Sequence, residues 1–183
     1  MNRRNEKLLT VKTLIKDLKT IQCREPFFLP IDNVGAIQLA EHTLEENEND
    51  YLEGAIVLTY NSEIIFSRQM ETTDLLLTWQ SLVQPLLKTR LRETQYSIFI
   101  LDSLYDVELF EEELNFRIEV SNFAIENETF SYTIPKEEYS VTIFDGFMAF
   151  AEFILENEFT FSIESSYHPF IEDYNQVMKM KNK

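Results

Sequence analysis

Glycine is scarce in this sequence: three in 183 residues, at Gly35, Gly54 and Gly146. They stand too far apart to build a glycine-rich loop that cradles a phosphate, which excludes nucleotide-binding fingerprints of that type. Cys23 is the one cysteine, so no internal disulfide can form, and a lone thiol fits a reducing compartment. The two histidines, His42 and His168, are far apart and lack cysteine partners, so the ligands for a zinc site are missing. A calcium loop read from Glu46 would put Tyr51 where glycine is needed and Val57 where a bidentate acid is needed, and that match fails. No metal and no cofactor are expected. No apolar run approaches the roughly 18–20 residues that span a bilayer, so no membrane span is expected either. Lys12, Lys16, Asp17 and Lys19 interrupt what would be the apolar core of a signal peptide, which predicts a cytoplasmic location.

Basic residues are the other shortage. Sixteen Lys and Arg face 32 Asp and Glu, a net charge of −16. The few bases are gathered at the ends. Residues 1–24 hold seven bases against two acids, a net of +5, and residues 179–183 add +3, which leaves −24 on residues 25–178. From Glu93 to Pro135 there are ten acids and a single base, Arg117. A field of this sign repels nucleic acid and anionic membranes, and it attracts and steers basic proteins. Hydrophobic residues at 44% and aromatics at 13% are too many for a disordered chain, so the acidity belongs to a folded surface.

The patterning predicts α+β: a mainly antiparallel sheet with several helices packed on it, including N-terminal and C-terminal helices, in a single domain over 1–183. Leu8, Val11, Leu14, Ile15, Leu18 and Ile21 recur at helical spacing, so residues 5–21 are expected to form an amphipathic helix. Within 1–24 that basic helix would pack on the acidic body, its stripe of Lys12, Lys16 and Lys19 docking against the protein's own carboxylates. Residues 25–30 read as an extended apolar connector, and 35–43 as either a strand or a short helix. Gly54–Tyr60 and Glu63–Ser67 form a hairpin around Asn61-Ser62. Thr72-Thr73-Asp74 starts a helix whose buried stripe is Leu75, Trp79, Leu82, Leu86 and Leu91, with a kink or restart at Pro85 and Lys88, Arg90 and Arg92 near its end. The apolar run Tyr96–Leu101 reads as a central strand, and Asp106–Phe110 as a short one. Leu114, Phe116, Ile118 and Val120 alternate with polar residues, and Phe130, Tyr132 and Ile134 repeat the pattern, so Arg117 and Glu119 should face water on one side of a sheet. Pro135-Lys136-Glu137-Glu138 opens a helix lined by Tyr139, Ile143, Phe147, Phe150 and Ile154. Gly146 inside it costs about 1 kcal/mol relative to alanine and so marks a close contact. Phe159, Phe161 and Ile163 alternate as a last strand before a terminal helix capped by Ser166.

No constellation for catalysis stands out. Cys23 could pair with a histidine, but a single thiol near a helix end is ordinarily packing, and with 32 acids no one carboxylate pair is informative. The segments Trp79-Gln80-Ser81-Leu82, Leu114–Val120 and Pro135–Leu155 resemble small acidic bacterial immunity proteins of polymorphic-toxin loci. The resemblance covers about half the chain and carries over no catalytic or binding residue. It implies a cytoplasmic protein that binds and blocks a toxin. The expected function is therefore a non-enzymatic inhibitor that occludes the active site of a basic partner such as a nuclease. The candidate binding residues are Glu45, Glu46, Glu48 and Asp50 in one cluster, and Asp106, Glu108, Glu111, Glu112, Glu113, Glu126 and Glu128 in the other. Two alternatives belong to other classes: a small hydrolase using a carboxylate pair, and a regulatory subunit that docks a larger assembly through its N-terminal helix.

Overall fold

The structure is a computed structural model and describes residues 8–18, 26–87, 94–125 and 128–181. Its central strand is β3 (Gly54–Tyr60), rich in β-branched residues and buried along most of its length. One edge of β3 pairs antiparallel with β1 (Leu9–Asp17), which pairs in turn with β2 (Phe27–Pro30). The other edge takes β4 (Glu63–Phe66) at one end and β5 (Glu71–Thr72) at the other. This five-stranded layer is sheet A.

β1 corrects the expected helix over 5–21. Leu9, Thr13 and Ile15 share one buried face of a strand at period two, with Val11 between them. The same stretch also satisfies helical spacing, because Leu8 and Leu9 are adjacent and Leu14 is buried on the opposite face, against Phe28 and Ala55. Thr10, Val11, Thr13 and Ile15, all branched at Cβ, tip the choice toward strand. Since β1 lies between β2 and β3, it cannot serve as a detachable docking helix. Residues 5–7 and 19–24, with Lys19 and Cys23, lie outside the described residues. Of the basic stripe, Lys16 sits on β1 and not on a helix, and its ammonium reaches Glu53 and Glu71, each at 3.2 Å. Burial pulls its pKa down, but the two carboxylates outweigh that and hold it above the usual lysine value. Lys12 is exposed.

Sheet B has the order β6 (Gln95–Ile98), β7 (Tyr105–Glu111), β8 (Asn115–Asn122), β9 (Thr129–Pro135), all antiparallel. The apolar run at 96–101 is thus an edge strand and its continuation, not a central strand. Of its side chains Ile98 is buried while Phe99 is half-exposed, as fits an edge and not a strand flanked on both sides.

Helices α1 (Gly35–Glu46), α2 (Leu75–Leu87), α3 (Lys136–Glu156) and α4 (Tyr167–Lys181) complete the α+β fold, with helix in both the N-terminal and C-terminal regions. Asp74 starts α2 as its sequence predicts: Oδ1 accepts the Leu77 N–H at 3.1 Å. The helix runs through Pro85 without restarting; Leu91 and the bases at 88, 90 and 92 lie outside the described residues. Trp79 is fully buried, stacked 6.2 Å from Phe150 and edge-on to Phe147, and its indole N–H donates to Thr13 Oγ1 at 3.1 Å. Gly146 is the close contact its position implied. A Cβ there would stand 2.5 Å from Val11 Cγ1 and 2.6 Å from Trp79 Cη2. One contiguous apolar core joins both sheets and the helices.

Residues 159–163 are not a strand. Phe159 packs on Phe153 and Phe161 stacks on Tyr167, while Ile163 is 83% exposed. The alternation is real, but no strand pairs with it. Ser166 does sit at the start of α4, where its carbonyl accepts the Phe170 N–H, yet its hydroxyl donates to Asp74 Oδ2 at 2.5 Å instead of capping its own helix. Among the described residues, no helix is long and apolar enough to cross a membrane.

Candidate functional site

The alternation in β7 and β8 divides sheet B into two faces. Val107, Leu109, Phe116, Ile118 and Val120 point into the core. Asp106, Glu108 and Phe110 point the other way, and register sets them opposite Ser121, Glu119 and Arg117. Continuing outward, Ser97 lies beside Glu108 on β6, and Ser131 lies beside Glu119 on β9. All of these outward residues are exposed or half-exposed.

Two carboxylates, Glu108 and Glu119, stand directly opposite each other, an arrangement that is unfavourable unless neighbours compensate. Both have compensation. Glu108 accepts hydrogen bonds from Ser97 Oγ at 2.7 Å and Gln95 Nε2 at 3.1 Å. Glu119 pairs with the Arg117 guanidinium, which also bonds Glu112 at 2.9 Å and lies 4.1 Å from the centre of the Phe110 ring. The face therefore presents four carboxylates, Asp106, Glu108, Glu112 and Glu119, and one arginine, which pairs with the last two. Most are held by their own sheet in fixed positions.

The predicted binding residues separate on this surface. Asp106, Glu108 and Glu112 belong to the outer face. Glu111 does not: register puts it opposite Phe116 on the inner side, where it pairs with Lys136 at 2.7 Å. Glu113 is exposed in the β7–β8 turn, and Glu128 is half-buried just before β9. Glu126 lies outside the described residues. Glu45 and Glu46 end α1, and Glu48 follows in a turn with positive φ at Glu48 and Asn49. Glu46 approaches His42 at 3.9 Å. Asp50 acts within the fold, where its carboxylate accepts from the Ser162 hydroxyl and helps tie residues 157–166 to the body. Among the described residues no hydrogen bond or ion pair joins this cluster to the one on sheet B.

Glu119, Arg117, Gln95 and Ser97 were not among the predicted binding residues. The strict alternation of 114–120 did carry a signal for the first two, but only the pairing of β7 with β8 brings Glu108 and Glu119 together.

The remaining buried carboxyls serve the fold. Burial pushes Asp74 above the ordinary carboxylate value, against the hydrogen bonds from Ser166 and the start of α2. Burial likewise raises Asp173 of α4, which accepts from Gln80 and Gln84 of α2 at 3.1–3.2 Å. Glu111 and Lys136 lie beside an apolar cleft of about 570 Å³ formed with Leu86, Phe116, Phe144 and Met180. Among the described residues no group of three His, Cys, Asp or Glu side chains is placed to hold a metal ion. Comparison of the chain with protein-family models, with curated proteins and with solved structures finds no match in any of the three.

Proposed function

We propose that this chain is a non-catalytic binding protein that holds a basic protein surface against the outer face of sheet B. The observation that carries this reading is the Glu108–Glu119 pair, a juxtaposition of like charges on a face that no helix among the described residues covers, kept in place by Ser97, Gln95 and Arg117. Fixed carboxylates lose little freedom when a lysine or arginine arrives, and the surrounding charge of −24 on residues 25–178 speeds the encounter. A nuclease lines its site with cations to hold phosphates, and an acidic sheet face can occupy that site in the substrate's place. The role is that of an inhibitor or immunity protein acting in the cytoplasm of a bacterial cell on a basic toxin.

The test compares the wild-type chain with the variant Asp106→Asn, Glu108→Gln, Glu119→Gln as affinity bait, alongside Glu45→Gln, Glu46→Gln, Glu48→Gln as a charge-matched control. Basic proteins retained by the wild type should be lost from the sheet variant, kept by the control, and released by salt on the order of 0.5 M. Equal retention by the wild type and the sheet variant would sink the proposal.

A further inference from the structure

Among the described residues, sheet B ends in an edge strand that is long, open and uncharged. β9 runs Thr129-Phe130-Ser131-Tyr132-Thr133-Ile134-Pro135, seven residues without a charge in a chain of net −16. The edges β2, β4 and β6 are four residues each, which is one way proteins protect edges. Hydrogen bonds beyond each end of β9 settle which of its groups are free. Asn122 N–H donates to the carbonyl of Glu128, and Lys136 N–H to that of Leu114. With the register Val120↔Phe130 and Ile118↔Tyr132, this alternation turns the N–H and C=O of Phe130, Tyr132 and Ile134 toward β8. The same groups of Thr129, Ser131 and Thr133 point away from the sheet, and all three residues are exposed.

We propose that this edge is an interface between two copies of the chain, paired antiparallel about Ser131. The strand is close to a palindrome in chemistry. Centring a two-fold axis on Ser131 sets Thr129 opposite Thr133 of the second copy, and Ser131 opposite its own equivalent, each pair exchanging both main-chain hydrogen bonds. Phe130, 49% exposed, then meets Tyr132 of the second copy in the closer, non-hydrogen-bonded position, on both sides of the axis. No other centring within the strand matches threonine, aromatic and serine positions at once. The two four-stranded sheets become one, with both acidic faces on the same side. The seam carries no charge, so the two acidic bodies oppose association only through space, and added salt strengthens it. Pairing through a charged seam with a basic partner would weaken with salt, so this proposal stands or falls separately from the function proposed above.

Sedimentation velocity over protein concentration, at about 0.05 M and about 0.5 M salt, is the test. The wild type should dimerise, with a dissociation constant roughly tenfold lower at the higher salt. Ser131→Pro removes only an outward N–H, which an edge strand tolerates, and should abolish the dimer. Ser131→Lys sets two like charges face to face and should do the same, and it decides the matter if the proline variant does not fold. Gln38→Lys, an equal charge change on the exposed surface of α1, should leave the dimer intact. A wild type that is monomeric throughout, or a dimer that survives both Ser131 variants, would overturn the proposal.

Discussion

The two edges of sheet B differ in how the chain continues beside them. Just past β6 the chain runs under α2, and hydroxyls meet its backbone there. Thr78 Oγ1 donates to the Phe99 carbonyl at 2.7 Å, Ser81 Oγ accepts the Phe99 N–H at 3.1 Å, and Thr72 Oγ1 accepts the Leu101 N–H at 3.1 Å. Thr72, Thr78 and Ser81 are all buried. Among the described residues nothing equivalent is in place at β9, and Thr129, Ser131 and Thr133 turn their outward backbone groups toward solvent or a partner strand. The contrast shows what buried polar residues on an apolar helix are for. Thr78 and Ser81 of α2, with Thr72 of β5, stand in for a neighbour strand at residues 99–101, so the continuation of this edge is satisfied from within the chain.

Breaking the closed edge should have the largest effect. Thr78→Val keeps the shape of the side chain but leaves the partly buried Phe99 carbonyl without its donor, and should cost about 1–3 kcal/mol in urea unfolding. If the loss is no greater than for an exposed substitution, the closed edge is not held by its hydroxyls.

The helix that closes the edge is braced by α4, and that brace should depend on pH. Burial raises the Asp173 carboxyl above its unfolded value of 3.8. A group raised in this way contributes stability that is full below its unfolded pKa and is lost as pH rises through the folded one. Among the described residues Gln80 Oε1, buried beside it, has no hydrogen-bond donor, and a protonated Asp173 could supply one. Asp173→Asn, able to donate at every pH, should therefore remove that loss. Its melting temperature relative to wild type should rise from pH 4 towards pH 7; a constant difference would count against Asp173 as the titrating brace.

The smallest effect belongs to the open edge. Thr133→Val leaves the outward backbone groups of β9 as they are and should change monomer stability by no more than about 0.5 kcal/mol, measured by urea unfolding at low protein concentration. A loss comparable with that of Thr78→Val would mean that β9 is covered in solution by another part of the chain.

The same contrast marks the limit of what could be read in advance. The hairpin at 54–66, the start of α2 at Asp74, the alternation of β8, the buried stripe of α3 and the close approach at Gly146 all follow from local pattern, because each is written within one element. The placement of 96–101 does not. Continuous apolarity does not fix a strand's place in a sheet: here Ile98 is buried while Phe99, next to it, is half-exposed. Residues 9–17 fit two periodicities at once, and only the neighbours β2 and β3 select the strand. The acidic residues of β7 were legible as a cluster. Sorting Glu108 onto the open face and Glu111 onto the inner one required the register.

The sequence by itself determined the class, the sign of the surface charge and most of the core, since these depend on composition and on spacing within a few residues. Tertiary structure alone decided which carboxylates share a face and which sheet edge is left open. Both depend on pairing between segments distant along the chain, where the backbone hydrogen-bond pattern, not side-chain identity, sets what lies beside what.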